Sequence, residues 1–280
     1  LGDLVFITGT SSGIGLSTAI ECAAAGYSVV ATMRNLDKRK DLEQAAIARG
    51  VKLDIEQFDV TSKSSGAKMR ELVLKYGPFY GLVNNAGIAV GGAFEEQSDT
   101  NIREQFETNV FGLMSTTRAL LPCMRAARRG RIVNISSLSG RVALPGVSIY
   151  AATKHAVEGF SESLRWEVEP FGISVCLVEP GTFKTPIFFA NQRRTEALLS
   201  NGPYASMTEK LEKLVLAGAE KASPPDLVGK TIARLLAQAT PPFRTALGVD
   251  ARTLMALRRV MPDALFATGV RRIIAMSRPR

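Results

Sequence analysis

Histidine is almost missing from this 280-residue chain: His155 is the only one. Any serine–histidine–acid triad would have to run through that imidazole, whose surroundings read differently. Cysteine is scarce too. Cys22, Cys123 and Cys176 lie far apart, with no C-x-x-C pair and no histidine cluster nearby. That spacing suits neither a disulfide framework nor a zinc site, and it fits a reducing compartment. No apolar run approaches the roughly 18 residues of a spanning helix. A soluble, cytoplasmic protein is the expectation. The chain begins at Leu1 rather than methionine, which leaves an upstream targeting segment open. Internal repeats and low-complexity tracts are missing as well.

What is present is ordinary globular material. Hydrophobic residues make up 46% and charged residues 22%, enough for a large core within a single α/β domain over 1–280. The net charge is +9. Between Arg252 and Arg280, arginines at 252, 258, 259, 271, 272, 278 and 280 meet one acid, Asp263, so the basic segment 252–280 carries six of the nine charges. The plain reading is a solvated helix face. The sharper ones are contact with an acidic protein, with nucleic acid, or peripherally with an anionic membrane, for which Leu265, Phe266, Ile273 and Ile274 would be apolar partners. No aromatic-interleaved basic groove points to nucleic acid.

Strand-length apolar runs alternate with helix-period segments. The pattern predicts strands at 4–7, 28–32, 53–58, 81–84, 132–135, 173–178 and 243–247. Helices are expected at 14–25, 36–49, 62–76, 100–128, 150–168 and 225–238, with Pro122 kinking or interrupting the long 100–128 stretch. Such alternation implies a Rossmann-like, doubly wound parallel sheet of about seven strands with helices on both faces. Residues 184–223 break the alternation, and a substrate-binding insertion is expected there.

Thr8-Gly9-Thr10-Ser11-Ser12-Gly13-Ile14-Gly15 joins the first strand to the first helix. Its glycines permit a sharp turn close to a pyrophosphate, and a helix N-terminus follows with free N–H groups. The spacing differs from G-x-G-x-x-G. At the end of the second strand, Met33 and Arg34 stand where an acid would bind the ribose hydroxyls of NAD. Arginine there suits a 2′-phosphate, so NADP(H) is the preferred cofactor and NAD(H) the possible one.

Tyr150 and Lys154 form an i,i+4 pair on one helix face. A nearby ammonium should depress the phenol pKa, allowing Tyr150 to exchange a proton with a carbonyl or alcohol oxygen. Ser136 and Ser137 follow the fifth strand. Asn84-Asn85-Ala86-Gly87 follows the fourth. Asn109 sits in the long helix before the fifth strand. His155 points about 100° away from Lys154 around the helix and reads as structural.

Taken together, T-G-x-x-x-G-I-G at 8–15, Asp59-Val60, N-N-A-G at 84–87, Asn109-Val110-Phe111-Gly112, Ser137, Tyr150-x-x-x-Lys154 and Pro180-Gly181 make the chain resemble the short-chain dehydrogenase/reductase family over residues 1 to about 185. The resemblance implies catalytic roles for Asn109, Ser137, Tyr150 and Lys154: Ser137 holding the substrate oxygen, Tyr150 moving the proton, Lys154 binding ribose and lowering the tyrosine pKa, Asn109 positioning a relay water or, alternatively, only stabilising a helix irregularity. It implies cofactor contacts from Gly9, Ser11, Ser12, Gly13, Ile14, Gly15, Arg34, Asp59, Val60, Asn85, Ala86, Gly87, Pro180, Gly181, Thr182 and Thr185, alongside Tyr150 and Lys154. Asp59 would meet the adenine, Asn85 the adenosine ribose region and Thr185 the carboxamide. No metal is expected. The segment at 31–34 and the 184–223 insertion look similar to the NADP-linked 17β-hydroxysteroid and retinol dehydrogenase branch, which implies a hydrophobic steroid-, retinoid- or lipid-like substrate. Phe183, Ile187, Phe188, Phe189, Leu198, Leu199 and Tyr204 would line an apolar pocket, cover it, or merely pack the insertion down. Helices corresponding to 100–128 and 150–168 commonly form the subunit contact in that family, so the resemblance also implies a homodimer or homotetramer. A 3-oxoacyl thioester reductase, or a non-catalytic NADP(H) sensor, are the alternatives.

Overall fold

Residue by residue, the first strand explains the layering. β1 (Leu4–Thr8) alternates its side chains between two faces. Val5 and Ile7 enter one apolar core, while Phe6 enters another. A strand covered on both sides must be apolar throughout, which is why the run has no polar interruption before Thr8.

The computed structural model describes residues 2–185, 193–194, 202–220 and 222–275, with backbone only at 193–194 and 273–275. Chain order runs β1, α1 (Gly13–Ala24), β2 (Ser28–Met33), α2 (Lys40–Arg49), β3 (Asp54–Gln57), α3 (Ser65–Tyr76), β4 (Gly81–Asn84) and a short β5 (Val90–Gly91). It continues through α4 (Asp99–Phe106), α5 (Leu113–Ala127), β6 (Gly130–Ile135), α6 (Ser148–Val168) and β7 (Ile173–Pro180). Then come a short β8 (Arg193–Arg194), α7 (Ala205–Glu220), α8 (Asp226–Ala237), β9 (Arg244–Leu247), α9 (Val249–Val260) and α10 (Asp263–Ala275).

Seven strands form one parallel sheet in the order β3-β2-β1-β4-β6-β7-β9. Helices α1, α2 and α8 cover one face and α3, α5 and α6 the other. The strand order reverses direction between β1 and β4, so a crevice opens at their carboxyl ends. Phe6 anchors the second core, edge-on to Phe58 and Phe79 at 5.2 and 5.4 Å between ring centres.

Three expected helices differ from the pattern reading. The one foreseen from Leu36 starts as a 3-10 turn over Leu36–Lys38, because the Asn35 side chain accepts from the Asp37 N–H at 2.9 Å, and α2 begins only at Lys40. The helix foreseen from Ser62 begins at Ser65; the Ser62 hydroxyl instead accepts from the Ser64 N–H at 3.2 Å, a local turn that competes with helix. The 100–128 stretch divides into α4 and α5 around a π-helical segment, Glu107–Gly112. Pro122 does not interrupt it: α5 runs through to Ala127, with Pro122 exposed and the buried Leu120 and Met124 holding the helix on the sheet. Among the described residues no helix is long and apolar enough to cross a membrane.

The insertion leaves the sheet and returns at one place. Phe183 bridges Ser223, and the Lys184 N–H donates to the Ser223 carbonyl at 3.1 Å. Within it, β8 pairs in parallel with β5.

Candidate active site

The β1–β4 crevice is built around Thr8. Its buried hydroxyl accepts from the N–H groups of Asn85 and Ala86, each at 3.0 Å, tying the two strand ends together. The Asn85 amide donates to the carbonyls of Thr8 and Gly9, both at 2.9 Å. Asn85 therefore latches the glycine turn to β4. Gly9 and Gly13 take positive φ values of 71° and 57°, a conformation that side chains disfavour. A Cβ on Gly15 would collide with the Gly9 carbonyl and the Asn85 amide. The helix that follows opens without a side-chain cap, and Ser12 at its N-cap makes no such bond. Its first N–H groups are thus available to an anion.

A cavity of about 1170 Å³ runs from this turn past Arg34, Lys38 and Asp59 to Ser137, Tyr150 and Lys154, and on to Thr185. Every residue expected at the cofactor or the chemistry borders it except Asn109. Asn109 sits directly behind: its Oδ1 and the Lys154 Nζ lie 3.3 and 3.8 Å from where a Gly87 Cβ would be. The far end is lined by Leu144 and Val147, by Leu211, Leu214 and Val215 of α7, and by Val270 of α10.

Asn109 stands in the π-helical segment and is fully engaged. Its Oδ1 accepts from the Ile88 N–H at 2.8 Å, and its Nδ2 donates to the Ile88 carbonyl at 2.9 Å and the Thr153 hydroxyl at 3.0 Å. Thr153 in turn donates to the Tyr150 carbonyl at 2.7 Å. The amide thus fixes the loop after β4 against the turn of α6 that carries Tyr150.

Lys154 is buried and donates to the Ile135 carbonyl at 2.8 Å, with Nζ 5.6 Å from the Tyr150 ring centre. Burial pushes its ammonium down to about 8, partly opposed by the negative charge of Glu158. The phenol of Tyr150 keeps one side open to the cavity but is enclosed behind. That burial raises it above its ordinary value, and a hydrogen bond with Ser137 partly offsets the rise. The expected depression of the phenol by Lys154 is corrected here: loss of solvation dominates, and Ser137 rather than the ammonium moderates it. Ser136 is buried with its hydroxyl off the phenol and without a partner, which favours Ser137 as the acting serine.

His155 is exposed on the far side of α6, its Nδ1 2.9 Å from the Ala151 carbonyl, so it builds no triad. The three cysteines are free, and burial raises the Cys22 and Cys176 thiols to about 12 and about 11. No cluster of metal-ligating side chains occurs among the described residues. Phe183 belongs to the core beneath the cavity, and the Tyr204 hydroxyl donates to Glu95 at 2.6 Å. Ile187, Phe188, Phe189, Leu198 and Leu199 lie outside the described residues. Sequence reasoning missed Thr153, Lys38 and Asp250. The last accepts from the Thr182 N–H at 2.6 Å and so holds the Pro180–Thr182 turn. Its signal, an acid at the start of α9, is too common to single out.

A glycine turn, an uncapped helix end, a half-buried tyrosine and a buried lysine on one cavity fit an oxidoreductase that works with a dinucleotide. Residues 3–196 match the family model described as short chain dehydrogenase, and the chain belongs to that family, whose members interconvert carbonyls and alcohols. It is 35% identical over 269 residues to 3-ketodihydrosphingosine reductase of Bacteroides thetaiotaomicron, covering 96% of each chain. It is 35% identical to bovine retinol dehydrogenase 8, covering 92% of this chain and 86% of that one. A short-chain dehydrogenase structure from Streptomyces avermitilis superposes with a TM-score of 0.82 at 36% identity, covering 95% and 94%. Of other structures with this fold, an actinorhodin polyketide ketoreductase holds NADPH and a short chain dehydrogenase/reductase from Burkholderia phymatum holds NAD.

Proposed function

We propose that the protein is an NADP(H)-dependent reductase of hydrophobic ketones or aldehydes, running in reverse on the matching alcohols. The observation that carries this reading is the single cavity shared by Arg34, the glycine turn, Ser137, Tyr150 and Lys154.

The residues fit the dinucleotide. The Gly9–Gly15 turn and the open end of α1 suit its pyrophosphate, and Asp59 with Val60 would meet the adenine. Arg34 and Lys38, both on the cavity wall, would meet a 2′-phosphate, while Met33 beside them is buried and supplies no carboxylate. Pro180 to Thr182, with Thr185, would meet the nicotinamide end. When bound, the cofactor supplies or accepts a hydride.

The remaining work falls to the chain. Ser137 holds the substrate oxygen by a hydrogen bond. Tyr150, kept protonated by its burial, donates its proton to that oxygen during reduction. Lys154 spends one donor on Ile135 and keeps two more for ribose hydroxyls. Its lowered pKa lets it release and regain a proton near neutrality, so it can restore the phenol. Asn109 positions the loop after β4 and the first turn of α6.

The apolar far end, formed by Leu211, Leu214, Val215 and Val270, suits a long hydrocarbon or polycyclic substrate. The names of the sphingoid and retinol relatives point the same way. A panel of free and carrier-bound hydrophobic ketones with NADPH tests the reading, with Tyr150→Phe as control. Turnover should fall by about a hundredfold or more in the variant while NADPH still binds. Tight binding with no turnover by the wild type on any ketone would instead mark a cofactor sensor, and preference for carrier-bound substrates a thioester reductase.

Val249, Leu257, Val260 and Leu265 are exposed on α9 and α10 beside Arg259, Arg271 and Arg272. This surface supports peripheral contact with anionic lipid. Equal failure of the full-length and 249–280-deleted proteins to float with acidic liposomes would end that part.

A further inference from the structure

One buried ionic cluster has no part in the chemistry above. Glu158 on α6 and Glu179 on β7 are only 5% and 3% exposed. Both are held by the same two guanidiniums. Arg244 Nε lies 2.9 Å from Glu158 Oε2 and 3.8 Å from Glu179 Oε1. Arg141 reaches the same two carboxyls at 3.8 and 4.0 Å. Glu162, on the exposed side of α6, takes the other arm of Arg244 at 2.7 Å. Lys154 lies one turn before Glu158 on the same helix.

The hydrogen bonds do not close if both acids are ionised. Glu158 Oε1 and Glu179 Oε1 are each buried without a donor. A buried carboxylate oxygen with no donor is costly. The two carboxyls are hydrogen-bond neighbours, and a single proton held between them would answer this deficit, as in other carboxyl pairs that cannot ionise together.

We propose that Glu158 and Glu179 share one proton across their Oε1 atoms, and that this pair is a positioning element that sets the charge on Lys154. Burial and the Glu158 charge push the Glu179 carboxyl up to about 7, in keeping with a proton retained at physiological pH. Glu158 is the group that opposes the loss of the Lys154 proton. As pH rises through neutrality the pair gains a second negative charge, countered by Arg141 and Arg244. That charge strengthens the hold of Lys154 on its own proton at the pH where burial would strip it. The ammonium is thus kept available to the ribose and to Tyr150 over a wider range. The link to Lys154 rests on the reductase reading; the shared proton does not.

Infrared difference spectroscopy of the wild-type protein, titrated through neutral pH, reads the proton directly. A carboxylic acid band should fade as pH rises and be absent in Glu179→Gln. The pH dependence of NADPH binding, followed by fluorescence, reads Lys154 without turnover. In Glu158→Gln its alkaline limb should move about one unit lower, and in Glu179→Gln by less in the same direction. The alkaline limb of ketone reduction should move with it. A wild-type spectrum with no titrating acid band overturns the shared proton, whatever the variants do. A titrating band with unmoved binding profiles in both variants overturns the link to Lys154. If one variant does not fold, the other and Arg244→Lys, which retains the charge but loses the fork, give the same test.

Discussion

Lys154 carries a cost that can be measured without a substrate. Its folded pKa, about 8, lies below the ordinary 10.5. Between those values the unfolded chain binds the proton that the folded one has lost, so this group's contribution to stability rises with pH across that window. Below it, burying the ammonium costs on the order of 3 kcal/mol at most. Cys22 and Cys176 have raised values and act in the opposite sense at alkaline pH. The informative quantity is therefore variant minus wild type. Lys154→Met should remove the rise: thermal melts at pH 8 and pH 10 should show the variant's advantage shrinking as pH increases. A constant difference would mean that Lys154 is not buried as an ammonium. Arg34 allows a second measurement. Its guanidinium is exposed at the cavity rim, so Arg34→Ala should cost NADPH binding about tenfold or more, the worth of a charge-assisted hydrogen bond. NADH binding should stay nearly level, and equal losses would refute the 2′-phosphate assignment.

At the scale of elements, legibility followed from distance along the chain. The glycine turn lies within eight residues, and Tyr150 and Lys154 share one helix face, so local spacing revealed both. The π-helical break at Glu107–Gly112 was legible only as an alternative role for Asn109. The bonds that hold that residue reach across the fold to Ile88 and Thr153, while the visible candidate for a break, Pro122, sits harmlessly on the exposed side of α5. Glu158 and Glu179 stayed hidden for a similar reason. Each looks like an ordinary acid in its own element, and only the packing of α6 on β7 makes them a pair. Packing between elements also explains Gly229 on α8. A Cβ there would lie 2.8 Å from the Ser17 carbonyl of α1, where the Ser17 hydroxyl donates to Asp226 at 3.0 Å. Gly229→Ala should force the two helices apart and lower stability by about 1–3 kcal/mol, read from urea or thermal unfolding. An unchanged midpoint would show that α8 can shift freely.

For the molecule as a whole, the sheet is covered on both faces, yet its outer helices retain large exposed aromatics. Phe111 is 53% exposed beside α5, and Trp166 is 58% exposed on α6. Self-association through these helices would bury them. Light scattering should give a dimer or tetramer for the wild type, and Phe111→Arg combined with Trp166→Arg should reduce it to a monomer. A wild type already monomeric at micromolar concentration would refute this.

The clasp between Lys184 and Ser223 has a consequence for diversification. An excursion that departs and rejoins at one point can lengthen, shorten or be exchanged with little strain passed to the frame, since closing a longer loop adds only slowly to its entropic cost. The described contacts that a transplanted segment would have to reproduce are few: the β8–β5 pairing, the Tyr204–Glu95 hydrogen bond and the clasp itself. A chimera carrying another enzyme's segment should inherit that donor's taste for alcohols and ketones while keeping this protein's grip on its dinucleotide.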